Sequence, residues 1–354
     1  MGVFILMNTF SKKILTWYDL YKRSFPWREK KFNSKEMHAY HTWVCEVMSQ
    51  QTLLSVLLPK YEKFISILPD VNHLAECDEK TLRELWAGLG YYARARNLQK
   101  GAEKIVKERK GIFPKTKEEW LSIPGCGPYT ASIIASICYG EKEPAIDGNV
   151  IRVMSRQFGI SDVSVWSPKG QKEIAHFLYE NIPAERPGDF NQALMDLGAT
   201  VCKKTQTSCM FCPLTNNCVA YKQNKISECP PIKPKQQTQN EKIFALVIKN
   251  QESVLLIERE KGFLKKTQGF PLLSEKEKNS FLTLQNKTNT PDLRSKIHEK
   301  TFNHTITHHK IIGYVLEIHT SINKESLKKI ASPLLTKPKF KEVPLHTLSE
   351  HISS

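Results

Sequence analysis

The chain has 354 residues, 40% of them hydrophobic and 25% charged, and carries a formal net charge of +16. That length gives room for two domains and a good-sized core, in the residue balance of a soluble globular protein. No apolar run approaches the length of a membrane span. The cationic excess points to a polyanionic partner, nucleic acid ahead of an anionic membrane surface.

Met1–Met7 is too short for a signal h-region and lacks a basic n-region, and Leu6 breaks the myristoylation pattern. Met7 offers an alternative start. Nine cysteines are an odd count without a secretory signal. They argue against a disulfide scaffold and for cytosolic ligation of a metal or cluster.

Residues 8–32 read as a first helix with Ile14, Leu15 and Tyr18 inward, breaking at Phe25-Pro26-Trp27-Arg28. Lys30–His38 reads as a polar loop. A strong helix then starts at Tyr40, with Trp43, Val44, Val47 and Met48 as helical neighbours and Glu46 among them. Taken alone, Glu46 and the following Gln50-Gln51 read as solvated surface. Helical patterns continue through Tyr61–Leu68, Thr81–Leu89 and Asn97–Lys107. Between the last two, Gly88-Leu-Gly-Tyr-Tyr-Ala-Arg-Ala-Arg-Asn97 offers aromatic faces and cations suited to a DNA-facing turn.

The most informative stretch runs from Ile123 to Asn149. In Ile123-Pro-Gly-Cys-Gly-Pro-Tyr-Thr-Ala131, Gly125 and Gly127 can take positive φ, as a tight hairpin between helices requires. Pro128 suits the first position of a helix running to Tyr139, whose free N–H groups could hold a phosphate. Asp147 follows closely, so one unit could grip a DNA backbone and set a carboxylate beside it. Residues 150–200 read as helical. Cys202, Cys209, Cys212 and Cys218 then crowd one loop, and their uneven spacing favours an iron–sulfur site over zinc. A Pro- and Lys-rich stretch over 222–240 reads as an extended linker. Beyond it, Ile243–Ile248, Val254–Ile257 and the alternation at Tyr314, Leu316 and Ile318 predict a small α+β domain.

In order, the chain carries Trp-Val-x-Glu-Val-Met-x-Gln-Gln-Thr, Gly-Leu-Gly-Tyr-Tyr-Ala-Arg-Ala-Arg-Asn, the Pro-Gly-x-Gly-Pro-Tyr hairpin, Ile-Asp-Gly-Asn-Val-x-Arg-Val, Phe-Asn-Gln-Ala-Leu-Met-Asp-Leu-Gly and the four-cysteine loop. This set resembles the MutY-type adenine-DNA glycosylases of the helix-hairpin-helix base-excision superfamily, densely over about residues 10–235 and loosely beyond. The resemblance implies a multidomain protein. An all-α glycosylase domain over 1–225 would comprise a six-helix lobe (about 36–145) and a cluster lobe (about 8–35 plus 150–225). A linker (226–240) and a small α+β Nudix-like domain (241–354) would follow.

By the same resemblance, the enzyme removes adenine paired with 8-oxoguanine or guanine in double-stranded DNA, acting as a monomer on a base flipped from the duplex. Glu46 is implied to protonate the adenine, helped by an apolar surround, and Asp147 to stabilise the cationic sugar, with Asn149 and Tyr129 around that aspartate. Arg28 and Gln192 match positions that contact the extruded base. Gln51 and Tyr91 match those that wedge into the duplex, and Gly125 and Gly127 the backbone grip. Cys202, Cys209, Cys212 and Cys218 would hold a four-iron four-sulfur (4Fe-4S) cluster. Tyr129 stands where strand-cleaving relatives have lysine, so base removal without lyase activity is implied. In the C-terminal domain, Thr307 and His308 match the lesion-recognition loop, which departs from the family's Phe-Ser-His; Gly262–Lys266 departs as well. Two other readings stay open: a mismatch thymine glycosylase and a non-catalytic iron–sulfur DNA-binding protein.

Overall fold

A computed structural model describes residues 2–29, 31–234, 239–249, 253–258, 268–287, 294–306, 309–319 and 340–344. The chain divides into two compact units, Met1–Lys233 and Pro234–Ser354. Among the described residues of the first unit, the α-helices are α1 (Gly2–Tyr21), α2 (Pro26–Glu29), α3 (Lys35–Ser49), α4 (Leu54–Ile67), α5 (Val71–Glu76), α6 (Glu79–Trp86), α7 (Ala93–Lys107), α8 (Lys117–Leu121), α9 (Pro128–Tyr139), α10 (Gly148–Phe158), α11 (Pro168–Asn181), α12 (Pro187–Thr200) and α13 (Val219–Lys222).

Several boundaries differ from the sequence reading, each for a local reason. The first helix ends at Tyr21, and Pro26 opens the separate short α2. The polar Lys30–His38 segment is not all loop. Ser34 accepts the Met37 N–H at 3.1 Å and Glu36 lies in the first turn, so α3 starts at Lys35. Helix α4 starts seven residues before Tyr61 and continues through Pro59, with Leu57, Tyr61 and Phe64 anchoring its buried face on both sides of the proline. The short α5 and α8 escaped periodicity because each is shorter than two turns. They begin at Asp70, and at a Thr116/Glu119 box in which each side chain satisfies the other's backbone.

The helices sort into two packed groups. Helix α3 packs on α4, α7 and α9, while α5 packs on α7 and α8 on α9. Trp43, Trp86 and Trp120 are fully enclosed here, and truncating any one to alanine would cost about 3–5 kcal/mol. The second group returns the start of the chain to its later part: α1 packs on α11 and α12, and α10 on α12 and α13. Phe10 meets Phe177 and Phe190 edge-on, with ring centroids 5.4 and 6.1 Å apart, and the Ser11 hydroxyl donates to the Asn181 carbonyl. Contact of α12 with α9 joins the groups.

The stretch expected to be an extended linker is partly anchored. Cys229 is buried, its carbonyl accepts from Arg156 Nε at 2.8 Å, and Trp166 Nε1 donates to the Pro231 carbonyl at 2.9 Å. Strand β1 already begins at Gln239.

The described part of the second unit holds β1 (Gln239–Lys249), β2 (Ser253–Glu258), β3 (Gln268–Gly269), β4 (Leu272–Leu273), α14 (Glu275–Lys287), β5 (Arg294–Ile306), β6 (His309–His319) and β7 (Phe340–Pro344). They form one mixed sheet in the order β3-β2-β1-β6-β5, with β4 added on β1 and β7 on β2. The β1–β6 pairing is parallel and the others are antiparallel. Phe244 and Tyr314, facing across that parallel pair, stack at 5.0 Å. Thr307, His308 and Gly262–Lys266 lie outside the described residues.

Candidate active site

A cleft of about 840 Å³ opens among α2, α3, α9, α10 and α12, and Arg28, Glu46, Tyr129, Asp147, Asn149 and Gln192 all line it. Residues spread over 164 positions of chain therefore meet in one cavity.

Glu46 projects from α3, whose neighbouring Cys45 and Val47 are buried. Burial is the main reason its carboxyl is pushed up from an ordinary 4.5 to about 7. The Asp147 charge adds to the rise, while the Tyr129 hydrogen bond and the Arg28 charge oppose it. The Tyr129 hydroxyl lies 2.9 Å from Glu46 Oε2 and 3.0 Å from Met195 Sδ. It has one proton, and the carboxylate is the stronger acceptor. Burial and the Glu46 charge hold Tyr129 well above the ordinary tyrosine range, so it stays a neutral donor. Tyr129 thus lies in the same cleft as Asp147 and feels its charge, while its hydrogen bond goes to Glu46.

Asp147 is the N-cap of α10. Its Oδ1 accepts the Val150 N–H at 2.7 Å and its Oδ2 accepts from Asn149 Nδ2 at 2.8 Å. Burial raises its pKa, and these two bonds oppose the rise, which favours a carboxylate fixed in one orientation. Asn149 is held in turn by Arg152, which donates to Asn149 Oδ1 at 2.9 Å, the Gly198 carbonyl at 2.7 Å and the Cys202 carbonyl at 2.8 Å. A Cβ on Gly198 would lie 2.7 Å from the Asn149 Cβ, so glycine is what permits α12 to pass this close to α10. On the other side, Asn191 accepts the Ala145 N–H at 3.0 Å and donates to the Glu143 carbonyl at 2.8 Å, fixing the strand of chain that leads to Asp147.

Arg28 reaches the cleft already paired. Its Nη1 and Nη2 meet the Asp196 carboxylate at 2.7 and 3.2 Å, and Arg23 binds the same carboxylate through Nη2 at 2.7 Å. Asp196 is fully buried. Burial would raise its pKa, but the Arg28 hydrogen bond and both arginine charges outweigh that and leave it below the usual carboxylate range. Gln192, one turn earlier on α12, accepts from the Tyr18 hydroxyl at 3.3 Å. Asp196, Arg23, Arg152 and Asn191 were not singled out from sequence. The signal was available for two of them: Asp196 stands four residues after Gln192 and Arg152 three after Asn149, on the same helix faces.

The hairpin between α8 and α9 bends at Gly125, whose φ is 82°. A Cβ there would come within 2.9 Å of the Asn97 Cβ, so no other residue fits without displacement. Gly127 does not take positive φ. It is the N-cap of α9 at φ −85°, with open space where a Cβ would be, so neither backbone angle nor crowding requires glycine there. Gln51 and Tyr91 are both exposed, and both adopt left-handed backbone, at φ 56° and 47°.

Cys202, Cys209, Cys212 and Cys218 are half-buried free thiols in the loop after α12. Their charges act on one another, Cys202 on Cys212 and on Cys218 and Cys209 on Cys218, and Arg156 Nη1 lies 3.4 Å from Cys202 Sγ. Among the described residues no three His, Cys, Asp or Glu side chains are arranged to hold a single metal ion. Four thiols close enough for their charges to act on one another, beside a buried arginine, fit a larger anionic cluster, which spreads its ligands wider than one ion does.

Residues 44–183 match the model of the HhH-GPD superfamily base excision DNA repair proteins. The adenine DNA glycosylase of Rattus norvegicus is 40% identical over 232 residues, covering 63% of this chain and 44% of its own. The chain thus spans less than half the length of that relative. Adenine DNA glycosylase of Buchnera aphidicola subsp. Baizongia pistaciae is 32% identical over 325 residues, covering 90% of this chain and 88% of its own. Among solved structures, a thermostable thymine-DNA glycosylase superposes with a TM-score of 0.56 at 23% identity, over 63% of this chain and all of that one, a likeness of fold. Matched along nearly its whole length, the chain belongs to the adenine DNA glycosylase family, within the HhH-GPD superfamily.

Proposed function

We propose that the protein is a monofunctional DNA N-glycosylase that excises adenine paired with 8-oxoguanine or guanine. The observation that carries this reading is the pairing in one cleft of Glu46, held near pKa 7, with a capped and oriented Asp147. Adenine leaves poorly as an anion. A carboxyl still half protonated at neutral pH can deliver a proton to the flipped base while the bond from sugar to nitrogen breaks. The electron pair of that bond goes to the base, and the positive charge stays on the sugar beside Asp147. Water then adds to the sugar carbon, and its proton returns to the Glu46 carboxylate. The paired carboxylates follow the logic of glycoside hydrolysis. Tyr129 in place of a lysine leaves no amine to attack the sugar, which supports base removal without strand cleavage.

The remaining assignments rest on the same family reading. Arg28 and Gln192 contact the extruded base, with Asp196 fixing the Arg28 guanidinium. Gln51 and Tyr91 enter the duplex, and the exposed backbone at Gly125 and Gly127 meets phosphate. Cys202, Cys209, Cys212 and Cys218 hold a four-iron four-sulfur cluster, which would tie the loop together. Residues 241–354 are the lesion-recognition domain of Nudix-like type, and Thr307 and His308 are its residues for the oxidised guanine.

The deciding experiment is single-turnover excision on duplexes carrying adenine opposite 8-oxoguanine, with products read before and after alkali. Adenine release with breaks only after alkali is expected. Release of thymine from a thymine–guanine control but not adenine would overturn the substrate, and breaks before alkali would overturn the monofunctional assignment.

A further inference from the structure

Arg94, near the start of α7, is the residue through which two separate exposed segments are joined. Its Nη1 donates to the carbonyls of Val47 at 2.8 Å and Met48 at 3.1 Å, the last turn of α3. Its Nη2 donates to the carbonyls of Leu89 at 2.8 Å and Gly90 at 3.3 Å. The same guanidinium sits 5.5 Å from the Trp86 ring and 5.8 Å from the Tyr91 ring, and Trp86 Nε1 also donates to the Gly90 carbonyl at 3.1 Å. One planar cation thus caps the C-terminus of the helix that carries Glu46 and also grips the 88–92 turn.

Each segment ends in a strained residue. Gln51, two positions past α3, and Tyr91, one past Gly90, hold left-handed backbone without being glycine. Such strain persists only where the surroundings over-determine it. Ser49 and Thr52 line the cleft, which places Gln51 at its rim. We infer that Arg94 is a positioning residue that makes Gln51 and Tyr91 one rigid two-pronged wedge, set in register with Glu46. The inference rests on the proposed glycosylase reading and adds the element that holds the wedge. Lysine keeps the charge but has no planar fork to span four carbonyls on two segments.

The test compares Arg94→Lys with the native chain on two duplexes, one with adenine paired to 8-oxoguanine and one with adenine opposite an abasic site, where no pair must be opened. Single-turnover excision by Arg94→Lys should fall about 10-fold to 100-fold on the paired duplex, the scale of a small misplacement, and far less on the unpaired one. A parallel readout needs no turnover. In a Glu46→Gln background, 2-aminopurine placed next to the target adenine should brighten on binding, and Arg94→Lys should suppress that rise. An equal loss on both duplexes, or no loss with the fluorescence rise intact, would overturn the inference. Absence of excision by the native chain on both duplexes would instead overturn the functional reading, while the fluorescence still reports whether Arg94 sets the wedge.

Discussion

Glu46→Gln is expected to remove activity and to stabilise the fold at the same time. The carboxyl rises from 4.5 to about 7 chiefly because the folded cleft disfavours its charge. At about 1.4 kcal/mol for each tenfold change in proton affinity, ionising it costs the folded state about 3 kcal/mol. The sign follows from the raised value. The folded protein holds the proton more tightly than the unfolded chain, so the cost is absent below pH 4.5, grows between 4.5 and 7, and is complete above 7. Glutamine is neutral throughout and still accepts the Tyr129 hydroxyl. At pH 8, Glu46→Gln should therefore raise the urea unfolding free energy by up to about 3 kcal/mol, and the gain should shrink toward zero near pH 4.5. All six tryptophans lie within residues 1–233, so tryptophan fluorescence reports the unit that matters. Native single-turnover excision should fall as pH rises through about 7. A variant less stable than native at pH 8, or a native rate flat from pH 6 to 8, would refute the account of Glu46 as a desolvated acid.

Asp147 caps α10 and, on the proposed mechanism, also serves the chemistry, so its substitutions should separate the two: Asp147→Ser keeps the cap and loses excision, whereas Asp147→Ala also loses about 0.5–2 kcal/mol in urea denaturation. Gly198→Ala should push Asn149 off Asp147 and cut the single-turnover rate about tenfold or more, with duplex affinity by gel shift little changed. Asp196→Ala strands two arginines and should destabilise by about 3–5 kcal/mol. Because the Asp196 pKa lies below its ordinary value, this stabilisation is present at neutral pH and fades as pH falls through the acid range, so the gap between native and variant should narrow in acid. Cys212→Ser should lower bound iron and acid-labile sulfide, read on the purified protein alongside a native control.

Most of the helical order was legible because its signals are local. Ile133, Ile134 and Cys138 mark the buried face of α9, Pro128 marks its start and Gly140, at φ 78°, its end. Gly125 was readable for the same reason, since its φ is set by a turn of a few residues. What sequence pattern could not supply was distance through space. Nothing in the spacing shows that Tyr129 hydrogen-bonds Glu46, 83 positions earlier, or that Arg28 is neutralised by Asp196. The buried Cys229 was hidden by its company, since prolines and lysines around it read as solvated linker. Gly127 shows a limit of motif reading: of two glycines in one hairpin, only Gly125 takes the positive φ that both were expected to supply.

The packing of α1 on α11 and α12 also sets an order of assembly. During synthesis the α3–α9 group is a continuous stretch of chain, rich in near-neighbour contacts, and can close as soon as residues up to about 140 have emerged. Helix α1 is made first but has its partners last. Phe10 must wait for Phe177 and Phe190, and Ser11 for Asn181, with more than 160 residues of chain between them. Until then its apolar face has no partner, and Arg23 and Arg28 lack the carboxylate of Asp196. The candidate active-site cleft is consequently the final seam of the nascent fold, closed when the ends of the helical unit meet across a half that has already formed.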